Sequence, residues 1–203
     1  MDGYKRRKEQ KKDAIRRAAE KLFAKHGTDK VSVAEIASAA GVSPVTIYNH
    51  YESKEGLIVS IAKQSVYEIL AYYQKLNEEK LAFPQKIDKI FELKKNAVAS
   101  DGITWILASS ATVPEVRQVL NDYFEKDLKD EMIKLVADGK SQGFINPQLS
   151  DAAVLIYIEI FTSYYLNNIK ATESIIANDS LMSEMYSMFW WGLDGKKWES
   201  EDK

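Results

Sequence analysis

A chain of 203 residues, 45% apolar and 29% charged, has the bulk for a substantial core, and with no cysteine it has neither a disulfide frame nor a thiolate metal site. Its longest unbroken apolar run, Ala152 to Ile158, is 7 residues against the ~20 that span a bilayer, and amphipathic sequence follows its basic start, so a cytoplasmic location with no membrane partner is expected. The net charge of −2 conceals a split: residues 1–63 carry 13 Lys/Arg against 8 Asp/Glu, while residues 64–203 carry 15 against 22, which points to a basic nucleic-acid-binding part on an acidic body.

Apolar residues recur at helical spacing almost throughout, and no alternating strand pattern is visible. A first helix is predicted over about residues 8–26, on the stripe Ile15, Ala18, Ala19, Leu22 and Phe23. His26 has a structural place at its end, where a cation suits the helix dipole. Before this helix lies a basic arm, residues 1–8, with Lys5, Arg6, Arg7 and Lys8 continued by Lys11 and Lys12. Such an arm suits phosphates or a minor groove. Ser32 and Glu35 have the spacing of a capping box, Ile36, Ala37 and Ala40 share a face, and Gly41 supplies the left-handed residue that ends the helix. Ser43 caps the next helix, and Pro44 fits its first position, where no backbone donor is needed. A very short helix after a glycine turn, with polar residues facing out, is how a helix-turn-helix presents a recognition helix to a major groove.

Ser53 then caps a long helix over about residues 54–79. Further helices are predicted over residues 84–100, 102–110 and 114–142, the last ended by Gly143 with Phe144 placed for the accompanying apolar contact. A helix capped by Ser150 and reaching about residue 170, and another over residues 174–191, complete the chain. The class is therefore all-α, with a helix-turn-helix head joined by a long helix to a helical body.

The chain resembles the TetR family of bacterial transcription regulators over its first 60 residues or so. The matching residues are Ile15, Ala18, Leu22, Phe23, Gly27, Ser32, Glu35, Ile36, Ala37, Ala40, Gly41, Val42 and Ser43, followed by Thr46, Tyr48, His50, Tyr51, Ser53, Lys54 and Leu57. Tyr51 stands where the family usually has Phe. The resemblance implies a DNA-binding domain at residues 1–53 and a regulatory and dimerisation domain at residues 54–203.

On the short helix Ile47 and Tyr51 lie four apart and should face inward with Val42, which leaves Thr46, Tyr48, Asn49 and His50 toward the groove. Asn49 has the paired donor and acceptor that read adenine. Tyr48, His50 and Lys54 match family positions that contact backbone or bases, and Lys54 sits at a helix N-terminus, where a phosphate is favoured. Ser32, Ser43, Pro44 and Val45 complete the expected DNA-facing set.

Residues 152–166 are apolar on nearly every side, and the last helix shares the excess. One small core does not cover both, and the family pairs these two helices across a two-fold axis. Leu155, Ile158, Thr162, Leu181, Met185, Met188 and Phe189 are therefore expected at a homodimer interface. The family also implies a small-molecule pocket in the body. Phe91, Trp105, Tyr123, Phe124, Tyr157, Phe161 and Tyr165 come from the segments that would line it, which suits a largely apolar effector of unknown identity.

Catalysis has little to work with. There are two His and no Cys, and neither a zinc-protease helix, a nucleophile elbow nor a dinucleotide fingerprint. Gly139-Lys140-Ser141 looks like the tail of a phosphate loop but lacks its first glycine, so it reads as a helix end. The charges of residues 125–134 pair at helical spacings as a solvated face. No enzyme, cofactor or metal is expected. The reading is a DNA-binding repressor released by a ligand. A ligand-independent DNA-binding regulator, or a helical homodimeric interaction protein, is the alternative.

Overall fold

The computed structural model describes residues 3–99, 104–167 and 178–194. Its α-helices are α1 (Gly3–His26), α2 (Val33–Ala40), α3 (Pro44–Tyr51), α4 (Lys54–Glu78), α5 (Phe83–Ala99), α6 (Thr104–Ser109), α7 (Pro114–Asp122), α8 (Leu128–Ser141), α9 (Asp151–Asn167) and α10 (Asp179–Asp194). A π-helical turn, Tyr123–Asp127, joins α7 to α8. The all-α class expected from the sequence holds. None of these helices is long and apolar enough to cross a membrane.

Several expectations are corrected. The basic arm is the opening of α1, which is helical from Gly3. Lys, Arg, Glu and Gln are good helix formers, and Arg7 Nε donates back to the Gly3 carbonyl at 3.2 Å. A helix is too wide for a ~6 Å minor groove, so these cations are presented on a rigid rod instead. The helix expected over residues 114–142 is broken by the π turn. Val116, Leu120 and Tyr123 are buried at regular spacing, and the next inward position of an α-helix would be Asp127. The turn inserts one residue, so Asp127 stays exposed and Leu128 takes the more sheltered place.

By packing, the chain falls into two compact units. One unit holds residues 1–71 and 97–126, the other residues 72–96 and 127–203. The first has a core of Ile15, Ala19, Phe23, Val31, Ile36, Ile47, Leu57, Ile58 and Ile61, joined by Trp105 and Ile106 of α6. The Phe23 and Trp105 rings lie 5.1 Å apart. Arg16 Nη1 of α1 reaches Glu20 at 3.3 Å and Glu68 of α4 at 4.0 Å.

In the second unit Tyr73, Leu76, Phe83, Ile87, Leu135, Val136, Ile145, Val154, Phe189 and Leu193 form the core. Gly143, at φ +79°, ends α8 as expected, and Phe144 meets Phe83 at 6.2 Å. Lys140 belongs to a helix end, where it bonds Asp151 Oδ1 and the Leu149 carbonyl, both at 2.6 Å. Lys86, buried on α5, pairs with Asp138 of α8 at 3.1 Å and donates to the Asn77 carbonyl. Glu131, expected on a solvated face, is buried instead. It is stabilised there by Lys134 at 2.7 Å and by the Asn77 amide at 2.8 Å. These two donors hold its carboxyl below the usual range despite the opposing effect of burial.

Candidate nucleic-acid interface

The head is built from local chemistry. Ser32 Oγ accepts from Glu35 N, and Glu35 Oε2 accepts from Ser32 N at 2.8 Å, which completes the capping box. These bonds lower the Glu35 carboxyl pKa, so the stability they add is present above the ordinary carboxylate range and fades as pH falls through the lowered value. Gly41 ends α2 at φ +66°, and its N–H and that of Val42 close onto the Ser38 and Ala37 carbonyls. Ser43 Oγ accepts from Thr46 N at 3.2 Å, and the two hydroxyls share a hydrogen bond of 2.9 Å. Pro44 occupies the first position of α3.

Only Ile47 of α3 is fully buried, which fixes the roll of the helix. Val45, Tyr48 and Asn49 stand at i, i+3 and i+4 on the opposite side, with Val45 64% and Tyr48 49% exposed. Thr46 and His50 are half-buried flanks of this stripe. Tyr51 is half-buried and its hydroxyl donates to the Lys12 carbonyl at 3.5 Å, which is the use α3 makes of a tyrosine there.

Lys54 has a structural task that spacing did not reveal. Its ammonium donates to the Thr28 carbonyl at 3.1 Å and the Val31 carbonyl at 3.2 Å, tying α4 to the loop between α1 and α2. A third N–H remains for a phosphate. Behind it, Ser53 Oγ caps α4 by accepting from Gly56 N at 2.9 Å. Also missed was the setting of His50. Partial burial, then the charges of Lys8, Lys12 and Lys11, hold its pKa below the usual histidine value.

Residues 15–61 match the family model of the bacterial regulatory proteins of the tetR family. Over this head, the chain is similar to the tetR family. Along the chain it is similar to the HTH-type transcriptional regulator UidR of Escherichia coli K12, at 24% identity over 153 residues that cover 75% of this chain and 78% of that one. The solved GusR of Salmonella enterica shares the fold, with a TM-score of 0.70 and 20% identity over 90% of this chain and 95% of that one. So does the transcriptional regulator FadR of Bacillus subtilis in complex with stearoyl-CoA, with a TM-score of 0.65 and 17% identity over 91% and 98%.

Outside the head, the expected site residues lie in different settings. Among the aromatics read as pocket-lining, Trp105 and Tyr123 are buried, Tyr157 is half-buried and Phe124 is exposed. The side chains of Phe91, Phe161 and Tyr165, and of the interface residue Thr162, lie outside the described residues. Trp105 Nε1 is buried and has no hydrogen-bond partner among the described residues. Tyr157 donates to the Met188 and Phe189 carbonyls and closes over Gly192, where even a methyl would overlap its hydroxyl. A cleft of about 430 Å³ in the second unit is lined by Gln74, Asn77, Glu78, Glu131, Lys134 and Asp138, and none of the expected aromatics borders it.

Of the residues expected at a dimer interface, Met188 is 67% exposed, Leu181 is exposed, and Leu155, Ile158 and Met185 are half-buried. Phe189 is a correction: it is a core residue, stacked on Tyr157 at 5.7 Å, because α10 turns it toward α9. Ile156, Ile160 and Trp191 are exposed instead, a surface that the all-round apolar pattern did not separate from core.

Proposed function

We propose that the chain is a homodimeric transcriptional repressor whose α3 helices read successive major grooves of a near-palindromic operator, and that a small effector releases it. The observation that carries the DNA reading is the capped head with Val45, Tyr48 and Asn49 turned outward, inside the stretch that matches the tetR family. Ser32, Ser43, Pro44, Thr46, His50 and Lys54 flank that stripe and supply backbone contacts. Residues 1–53 act as the DNA-binding domain and residues 54–203 as the regulatory domain. Selection from random duplexes should return two half-sites about 10 base pairs apart, centre to centre. On the selected site Tyr48→Ala with Thr46→Ala should cost about 1–3 kcal/mol of binding. Unchanged affinity of that double variant would remove α3 as the reading helix.

The exposed Ile156 on α9 and Leu181 and Met188 on α10 support pairing of these helices across a two-fold axis. Met188→Glu should shift sedimentation at micromolar concentration toward the monomer. A wild-type monomer under those conditions would exclude the dimer.

The effector reading draws support from Trp105. Its buried indole N–H has a hydrogen-bonding capacity to offer, and its ring lies on Phe23 of α1, inside the unit that carries the head. A ligand oxygen at that N–H would bias α1 through this contact. Because FadR is seen with stearoyl-CoA, a long-chain acyl thioester is the first class to try. If stearoyl-CoA leaves operator binding unchanged, that class is excluded.

A further inference from the structure

The cleft of about 430 Å³ in the second unit is walled by two helix faces. Gln74, Asn77 and Glu78 stand at i, i+3 and i+4 on α4, and Glu131, Lys134 and Asp138 at i, i+3 and i+7 on α8. All six are polar or charged. The walls are tied together: the Asn77 amide nitrogen donates to the Glu131 backbone carbonyl at 3.0 Å and to its Oε2 at 2.8 Å. The chain itself shows which charge this cleft takes. Glu131, buried in the wall, holds the Lys134 ammonium at 2.7 Å, and Asp138 Oδ2 holds that of Lys86 at 3.1 Å. Acceptor capacity is left over, because each carboxylate oxygen has two lone pairs. Asn77 Oδ1, Asp138 Oδ1 and both oxygens of the exposed Glu78 take no hydrogen bond among the described residues. Three carboxylates leave the lining negative even after Lys134 and Lys86 are counted. Among the described residues no three acidic groups gather closely enough to share a metal ion. Glu131 and Asp138 are instead seven positions, about 10 Å, apart along α8. Negative charges set apart along a cleft suit a ligand whose positive charges are also set apart.

We propose that this cleft binds a linear aliphatic polyamine, whose ammonium groups are shared among Glu78, Glu131 and Asp138. Asn77 Oδ1 accepts a further N–H, and the methylenes of the ligand lie along the aliphatic stems of Gln74 and Lys134. Lys134 is a built-in competitor. Its side chain is 62% exposed, so its ammonium returns to water at little cost and leaves Glu131 to the ligand. The site goes beyond the function proposed above and does not depend on it. It shares no residue with the DNA-facing set, and Trp105, which carries the effector reading, belongs to the first unit.

Polyamines also bind DNA, so the test uses the full-length chain without duplex. Spermidine titrated calorimetrically at constant ionic strength should show saturable one-to-one binding. Butylamine, with a single charge, should bind at least about tenfold more weakly, since it forgoes a charge-assisted contact, and 1,4-butanediol should not bind. Magnesium chloride at equal ionic strength should not displace spermidine. Glu78→Gln, an exposed position, should weaken spermidine about tenfold. Lys134→Met should tighten it by removing the competitor. Glu125→Gln, which alters an exposed carboxylate outside the cleft, should leave the affinity as in wild type. In amide NMR of the wild type, spermidine should shift the signals of residues 74–78 and 131–138. No saturable binding by wild type, equal affinities of Glu78→Gln and Glu125→Gln, or weaker binding by Lys134→Met would overturn the site. Displacement by magnesium would make the cleft a general cation surface and overturn the polyamine assignment. Failure of the duplex selection described above would remove the DNA reading and leave this cleft untouched.

Discussion

Asp138→Ala should lower the unfolding free energy by about 3 kcal/mol, because it strands a buried ammonium. Lys86 is 3% exposed, and its partners are Asp138 at 3.1 Å and the Asn77 carbonyl at 3.3 Å. Asp138 also accepts from Gln142 Nε2 at 3.0 Å, while Gln142 Oε1 accepts from Phe83 N at 2.7 Å and Gln142 Nε2 donates to the Leu81 carbonyl. The carboxylate thus anchors both the cation of α5 and the side chain that caps its start. Lys86→Met should be far milder, since an apolar chain of similar length fills the site and the partly exposed Asp138 can be hydrated. Lys86→Met with Asp138→Ala should recover much of the loss. Urea midpoints at constant slope measure all three, and a loss under 1 kcal/mol for Asp138→Ala alone would show that Lys86 escapes to water.

Gly56→Ala should be comparably severe and should also disable the head. A methyl at Gly56 would overlap the Tyr51 carbonyl oxygen, which already accepts from Ser53 N at 2.7 Å. Between them Glu52 sits at φ +66°, outside the usual range for a side-chain-bearing residue. The junction of α3 and α4 therefore has no slack to give. Overpacking against backbone costs about 3 kcal/mol, and the movement that relieves it re-aims α3. Gly27→Ala is the control: it has a positive φ of 78° but open space around it, so about 1 kcal/mol and intact duplex binding are expected. Wild-type stability and duplex affinity for Gly56→Ala would mean that the junction is looser than its geometry.

The parts of this protein that were legible in the sequence are those written in neighbouring residues. The capping box of Ser32 and Glu35, the glycine stop at 41, the Ser43-Pro44 start of α3 and the Ser53 cap each use donors and acceptors within a few positions. Local rules therefore recover the head almost residue by residue. What escaped depends on distant partners. Spacing placed Lys54 at a helix start but held no sign of the Thr28 and Val31 carbonyls. It assigned Glu131 to solvent because Asn77, 54 positions away, is invisible to a helical wheel. Phe189 and Met188 are adjacent and equally apolar, and only the packing of α10 decides which one is core. Lys8, Lys11 and Lys12 read as an arm because the pattern says nothing of the Tyr51 hydroxyl that fastens this turn to α3.

The π turn between α7 and α8 amounts to one surplus residue. Tyr123 and Leu128 stand five apart, where an unbroken α-helix would set its inward residues four apart. Taking out Glu125 alone would bring them to that separation. The α-helical hydrogen bonding would then be continuous through this segment. Adding a residue elsewhere in α7 or α8 would instead rotate everything beyond it by about 100°. Residues 124–126 are thus the place in this segment where the length of the chain can change without changing the helical spacing on either side.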